Sequence, residues 1–271
     1  MEDGLSLDDG WRGAQLALAT PFFDLLRDTL AALPRDRWPT RSELTAIAEE
    51  RGIRNARGMP LRFVTSASER SAMAYETRIA ESGEIPTRDN FHDLFNALQW
   101  LTLPRTKSTI SASHAALLQA GGDHEAKSRS RERDVLTMFD ESGVVVMSED
   151  QSLLDLIRAF QWKQLFVERR AEVIASMRFV SVGHGLMEKA LYPFIGLTGK
   201  AMLLNVPTHA DIDGAAAQWL SEKHNLSASR NLAPLPLLGI PGWDARNEDA
   251  AFYDNTGYFR AGYTREIGPA S

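Results

Sequence analysis

The segment FHDLFNALQWL, Phe91 to Leu101, constrains the fold more than any other part of the chain, because neither face of it suits water. At helical spacing Phe91, Leu94, Phe95, Leu98 and Leu101 form one apolar face, and His92, Asp93, Asn96, Gln99 and Trp100 fall opposite. A solvated helix face carries Lys, Arg or Glu. This one has none of them, and a Trp sits among its polar groups. A helix covered on both sides belongs inside a protein, and its polar groups then need partners. Either a core hydrogen-bond network or a ligand or catalytic site supplies them, and the segment alone leaves both open.

The flanking sequence mixes helical and extended periods. Thr20 as cap and Pro21 at the first position open a helix PFFDLLRDTLAAL. Thr40 and Glu43 form a capping box for ELTAIAEER, which Gly52 closes in a left-handed turn. LRFVTS and YETRIAESGEIP, with a turn at Gly83, carry β-branched and aromatic residues and read as strands. Helices return over 90–103 and 106–120, separated by Pro104. GGDHEAKSRSRER, 121–133, lacks a period and reads as a surface loop, and DVLTMFDESGVVVMS as a β-hairpin turning at Ser142 and Gly143. Residues 150–177 read as helical, followed by the strand RFVSV, a turn at Gly183, the helix GLMEKALY, the strand AMLLNV and a helix over 211–224. APLPLLGIPGW is too rich in proline for a central strand and is expected to lie extended across the domain. The expectation is an α+β (mixed α/β) fold: one sheet with helices packed on it, N-terminal helices, and an extended proline-rich C-terminal segment. A length of 271 residues suits a single globular domain over 1–271, with 1–10 a flexible tail.

Composition narrows the chemistry. The absence of cysteine excludes disulfides, thiolate nucleophiles and thiolate metal sites, so any metal must sit on His, Asp or Glu. Thirty basic against 36 acidic residues give a net charge of −6, mixed along the chain, and nucleic acid is not an expected partner. The first ten residues lack the basic and apolar regions of a signal peptide, and no apolar run is long enough to span a bilayer. A cytoplasmic location without membrane association is expected.

Three histidines stand in informative settings. His92 lies on the doubly covered helix. His114 shares an apolar stripe with Ile110, Leu117 and Leu118 on the next helix, and the short connection between the two helices makes them neighbours. His184 lies between Gly183 and Gly185 at a strand-to-helix turn, where glycine permits close backbone approach, and Glu188 follows on the same helical face. Each also has an ordinary structural explanation as a packed or capping residue. Asp140 and Glu141 are expected at the hairpin tip, where acidic residues are common for conformational reasons alone. Arg88, Arg105 and Lys107 flank the first two of these helices and are candidates for holding an anion, with Asn96 and Trp100 as further substrate contacts.

Two mechanisms fit this set. In one, His92, His114, His184 and Asp140 bind a divalent metal that activates water. In the other, His92 or His184 is a general base oriented by Asp93 or Glu188 without a metal. Either describes a hydrolase-like enzyme acting on a small anionic or phosphorylated molecule. The competing class is a non-catalytic binding or scaffold protein whose histidines and amide specify the core. GLTGKA, 196–201, is not a phosphate-binding loop, because Phe194 and Ala201 replace its first glycine and its hydroxyl residue. His92 with Asp93 does not complete the ligand pattern of the HD phosphohydrolases, which needs an earlier histidine.

The segments YETRIAESGEIPTRDNFHDLFNALQWLTLPRTK, LTMFDESGVVV, GHGLMEK, PLPLLGIPGW and FYDNTGYFR, together with His114, resemble in their order an uncharacterised bacterial family, domain of unknown function 3025. The resemblance runs from about Arg62 to Arg260. Phe91 stands where the family has Trp, and Gly185 where it has Ala. It implies a bacterial cytosolic protein and brings no activity, substrate or catalytic residue with it.

Overall fold

A computed structural model describes residues 6–65, 72–127 and 130–262. It is built around a four-stranded sheet of β3 (Gly143–Met147), β4 (Arg178–Ser181), β5 (Thr198–Leu204) and β6 (Ala233–Pro236) in the order β4-β3-β5-β6. β3 and β5 are parallel, and the outer strands run antiparallel to them. Every residue of β3 is buried. Val144 and Val146 pack into one apolar cluster and Val145 and Met147 into another, so both faces of the sheet are covered and the run needs no polar alternation. The proline-rich PLPLL stretch supplies β6, an edge strand, where a missing N–H costs no ladder bond. A small parallel pair, β1 (Arg62–Thr65) with β2 (Glu84–Thr87), lies apart from the main sheet.

Helices fill the rest. The first is α1 (Leu7–Leu18), capped by Ser6, which accepts from the amide of Asp9 and carries Asp8 and Asp9 in its first turn. The expected tail over 1–10 is therefore helical from Leu7, with Trp11 and Ala14 buried, and Met1 to Leu5 lie outside the described residues. Pro21 opens a 3-10 turn, Pro21–Leu26, that passes into the short α2 (Arg27–Ala31). The capping box of Thr40 and Glu43 begins α3 (Arg41–Glu50), and Gly52 follows it at φ 62°.

Three expected elements take another form. The stretch from Tyr75 to Ser82, expected as strand, belongs to α4 (Ala72–Ser82). Its Ile79 is buried, its last turn is held by Asn55 Nδ2 on the carbonyls of Ile79 and Ala80, and Gly83 ends it at φ 72°. The helix α5 (Phe91–Thr102), with Asn90 as cap, is followed by α6 (Pro104–Lys127), which continues through most of the expected loop. Glu125, Ala126 and Lys127 propagate helix well once it is nucleated upstream. The expected hairpin is instead a helix, α7 (Arg131–Ser142), running straight into β3. Val135, Leu136 and Phe139 make a helical stripe there, and Ser130 caps it. Next come α8 (Gln151–Arg158) and α9 (Arg170–Ser176), joined through a π turn, then α10 (His184–Ala190) after β4, and α11 (Ile212–Ser221) after β5. No helix among the described residues is long and apolar enough to cross a membrane.

Candidate functional site

α5 lies buried as its sequence requires: Asp93, Leu94, Phe95 and every residue from Ala97 to Leu101 are buried. It packs on α10, and α10 packs on α7. Gly183 fixes the second junction, since its amide donates to Gly143 O at 2.8 Å and a Cβ there would stand 2.4 Å from Ser142 N. That close approach sets the last turn of α7, with Asp140 and Glu141, beside His184 at the start of α10.

His92, Glu141 and His184 converge. His92 Nε2 lies 3.1 Å from His184 Nε2, His184 Nε2 lies 3.4 Å from Glu141 Oε1, and His92 Nε2 lies 3.8 Å from the same oxygen. A tetrahedral ion with bonds of about 2.0–2.1 Å spaces its ligand atoms by roughly 3.3 Å, close to the two shorter separations and about half an ångström below the third. The far side of each ring faces a carboxylate. His92 Nδ1 is 3.0 Å from Glu188 Oε2, and His184 Nδ1 is 3.7 Å from Asp140 Oδ2. A His92 that donates Nδ1–H to Glu188 turns the lone pair of its Nε2 toward His184, whereas His184 Nδ1 is buried with no hydrogen-bond partner among the described residues, Asp140 lying too far to bond it.

Asp140 is anchored by Lys107 Nζ at 2.5 Å, and Lys107 is itself buried, 5.8 Å from the centre of the Trp100 ring. Burial works to raise the Asp140 carboxyl, but Lys107, His184 and His114 outweigh it and hold the group below its ordinary range. Glu141 is held low chiefly by its bond to His184, against burial.

These groups line a cavity of about 420 Å³ that also takes in Tyr75, Glu76, Arg88, Asp93, Asn96, Ser111, His114 and Arg133. The three expected histidines thus share one cavity, although His114 stands outside the converging triplet. The acidic member of the converging triplet is Glu141, at the end of α7, while its neighbour Asp140, expected among the ligands, faces the other side of the His184 ring and Lys107. Asp93 does not orient His92. It accepts from the backbone and guanidinium of Arg88 at 2.7–3.0 Å, which outweighs burial and keeps it low. Glu188 has the orienting position instead. Asn96 donates to Tyr75 Oη at 3.0 Å, while its Oδ1 is buried with no hydrogen-bond partner among the described residues. Arg105 is not brought to the cavity: it pairs with Asp211 and Asp213 at the start of α11.

Tyr75, Glu76 and Ser111 were not singled out by the sequence. Glu76 Oε2 accepts from Ser111 Oγ at 3.0 Å, and burial pushes its carboxyl up to about 7 against that bond. The helical spacing of Tyr75, Glu76 and Ile79 is the signal that would have placed them on one wall.

A family model described as a protein of unknown function, DUF3025, matches residues 61–263, and the chain belongs to that family. No curated protein and no solved structure is detectably similar to it.

Proposed function

We propose that this member of the DUF3025 family is a metal-dependent enzyme of hydrolase type acting on a small molecule, with a divalent ion on His92, Glu141 and His184. The observation that carries the reading is the spacing of those three ligand atoms, with Glu188 and Asp140 behind the two rings. The Glu188 carboxylate, within hydrogen-bond distance of His92 Nδ1, would fix that imidazole's tautomer and raise its basicity toward a metal, while Asp140, 3.7 Å from His184 Nδ1, would act by charge. Three protein ligands leave a fourth position for water, whose pKa the ion lowers to about 7. The cavity beside it has the size of a small-molecule site.

An anionic or phosphorylated substrate, the expectation from Arg88, Arg105 and Lys107, would draw little on those three cations, since each already has a carboxylate partner. The second reading, a structural histidine network in a binding or scaffold protein, is favoured by the same 3.1 Å contact if a proton bridges the rings. Calorimetric titration of metal-stripped protein with zinc separates the two. One ion per chain, lost in His184→Gln, with hydrolysis of p-nitrophenyl acetate or phosphate appearing only on loading, supports the enzyme. Absence of uptake sinks it.

A further inference from the structure

The cavity contains two classes of carboxyl group. Asp93, Asp140 and Glu141 sit against cationic or imidazole partners and are held low, whereas Glu76 bonds to a hydroxyl and is raised by burial to about 7. Around Glu76 the cavity presents Tyr75 from its own helix, Lys107 and His114 from α6, Arg133 and Asp140 from α7, and the Arg88–Asp93 pair beside α5, with the histidine cluster beyond. Titratable groups whose environments push them apart within one site mark a division of roles: the low ones stay charged, and the high one exchanges a proton at neutral pH.

Resting on the metal-dependent reading, we infer that the cavity takes a small neutral acyl amide, with its carbonyl oxygen at the ion and its nitrogen at Glu76. Of the cations lining the cavity, Arg88 and Lys107 are paired with Asp93 and Asp140. The walls include two acceptors suited to an amide N–H, the Glu76 carboxyl and the buried Asn96 Oδ1, which lacks a donor. In the reaction, Glu76 takes a proton from the water on the ion as the water oxygen bonds to the carbonyl carbon. The C–N bond then breaks with its electron pair going to nitrogen, and nitrogen takes that proton from Glu76. Water and amide give a carboxylic acid and an amine, and the acid's proton passes to the amine. The resulting ammonium suits a cavity rich in carboxylates.

The test titrates zinc-loaded protein across neutral pH with acetohydroxamate, which carries the C(=O)–NH unit, and with inorganic phosphate. The hydroxamate is expected to bind about tenfold tighter than phosphate or better, and of the two ionisations near pH 7, that of the water on the ion and that of Glu76, Glu76→Gln is expected to remove the second along with about tenfold in affinity. Ser111→Ala keeps the carboxyl but deletes the bond that lowers it, so the inflection moves upward. Phosphate binding as tightly as hydroxamate overturns the inference, and so does an unchanged pH profile in Glu76→Gln. If that variant does not fold, an unmoved inflection in Ser111→Ala overturns it. Failure of the parent chain to take up zinc defeats this inference together with the reading beneath it, whereas normal uptake with phosphate preferred defeats this inference alone.

Discussion

Replacing Gly183 with alanine tests how the site is held together. Gly183 has φ −61° and ψ 123°, a conformation open to any residue, so the effect of the substitution is steric and owes nothing to backbone freedom. The added Cβ would meet Ser142 N at 2.4 Å and Glu141 O and Gly143 N at 2.5 Å, all main-chain atoms where α7 passes into β3. Ordinary carbon contacts begin near 3.5 Å, so about 1 Å of separation must be created. No side chain can rotate away to provide it, and the amides of Val182 and Gly183 both bond to Gly143 O across the same gap. Overpacking costs typically 1–3 kcal/mol, and obstruction by backbone alone places this case near the top, at about 3 kcal/mol. For a chain of this length that corresponds to a fall in Tm of about 6 °C. Urea and thermal unfolding followed by circular dichroism read it directly. Zinc affinity should fall as well, because Glu141 moves away from His184. A variant melting within about 1 °C of the parent with undiminished zinc binding would refute the claim that this contact positions the cluster.

Three further outcomes are expected. Lys107→Met leaves the half-buried Asp140 without its cation and should cost about 3 kcal/mol in urea unfolding, while a neutral result would show that the pair contributes little. Glu188→Gln leaves the ligand atoms in place but removes the carboxylate behind His92, so zinc affinity measured by calorimetry should weaken about 10–100-fold with little change in stability. Glu43, held down to about 2 chiefly by Arg37, gives the α3 capping box a stability contribution that is complete above its unfolded value of about 4.5 and is lost as pH falls toward 2. Thr40→Ala should cost about 1 kcal/mol near neutral pH and progressively less on acidification, and a cost independent of pH would contradict the coupling.

Much of this arrangement was readable from residue types. The doubly covered α5 is legible because His92, Asp93, Asn96 and Gln99 stand where a solvated face has Lys, Arg or Glu, and α5 is buried accordingly. The short link at Pro104 brought His92 and His114 to one cavity, and the glycines around His184 marked a close approach that the backbone of α7 does make. The rest turns on two segments whose β-branched residues imitate strands. Valines after Gly143 favour a hairpin for DVLTMFDES, although Val135, Leu136 and Phe139 fit a helix, and a hairpin tip does not tell the facing of Glu141 from that of Asp140. The β-branched Thr77 and Ile79 likewise suggested a strand and hid Glu76. Both carboxyl groups depend on which side of a helix they occupy, and that is settled by packing against α6 and α10, elements distant in sequence.

The most direct measurement is anomalous diffraction at the zinc edge from crystals of the zinc-loaded protein. A single peak bonded to His92 Nε2, His184 Nε2 and a Glu141 oxygen is the expected result, with distances near 2.0–2.2 Å. Density confined to other sites, or a His92–His184 contact that persists unbridged with no peak between the rings, would contradict it.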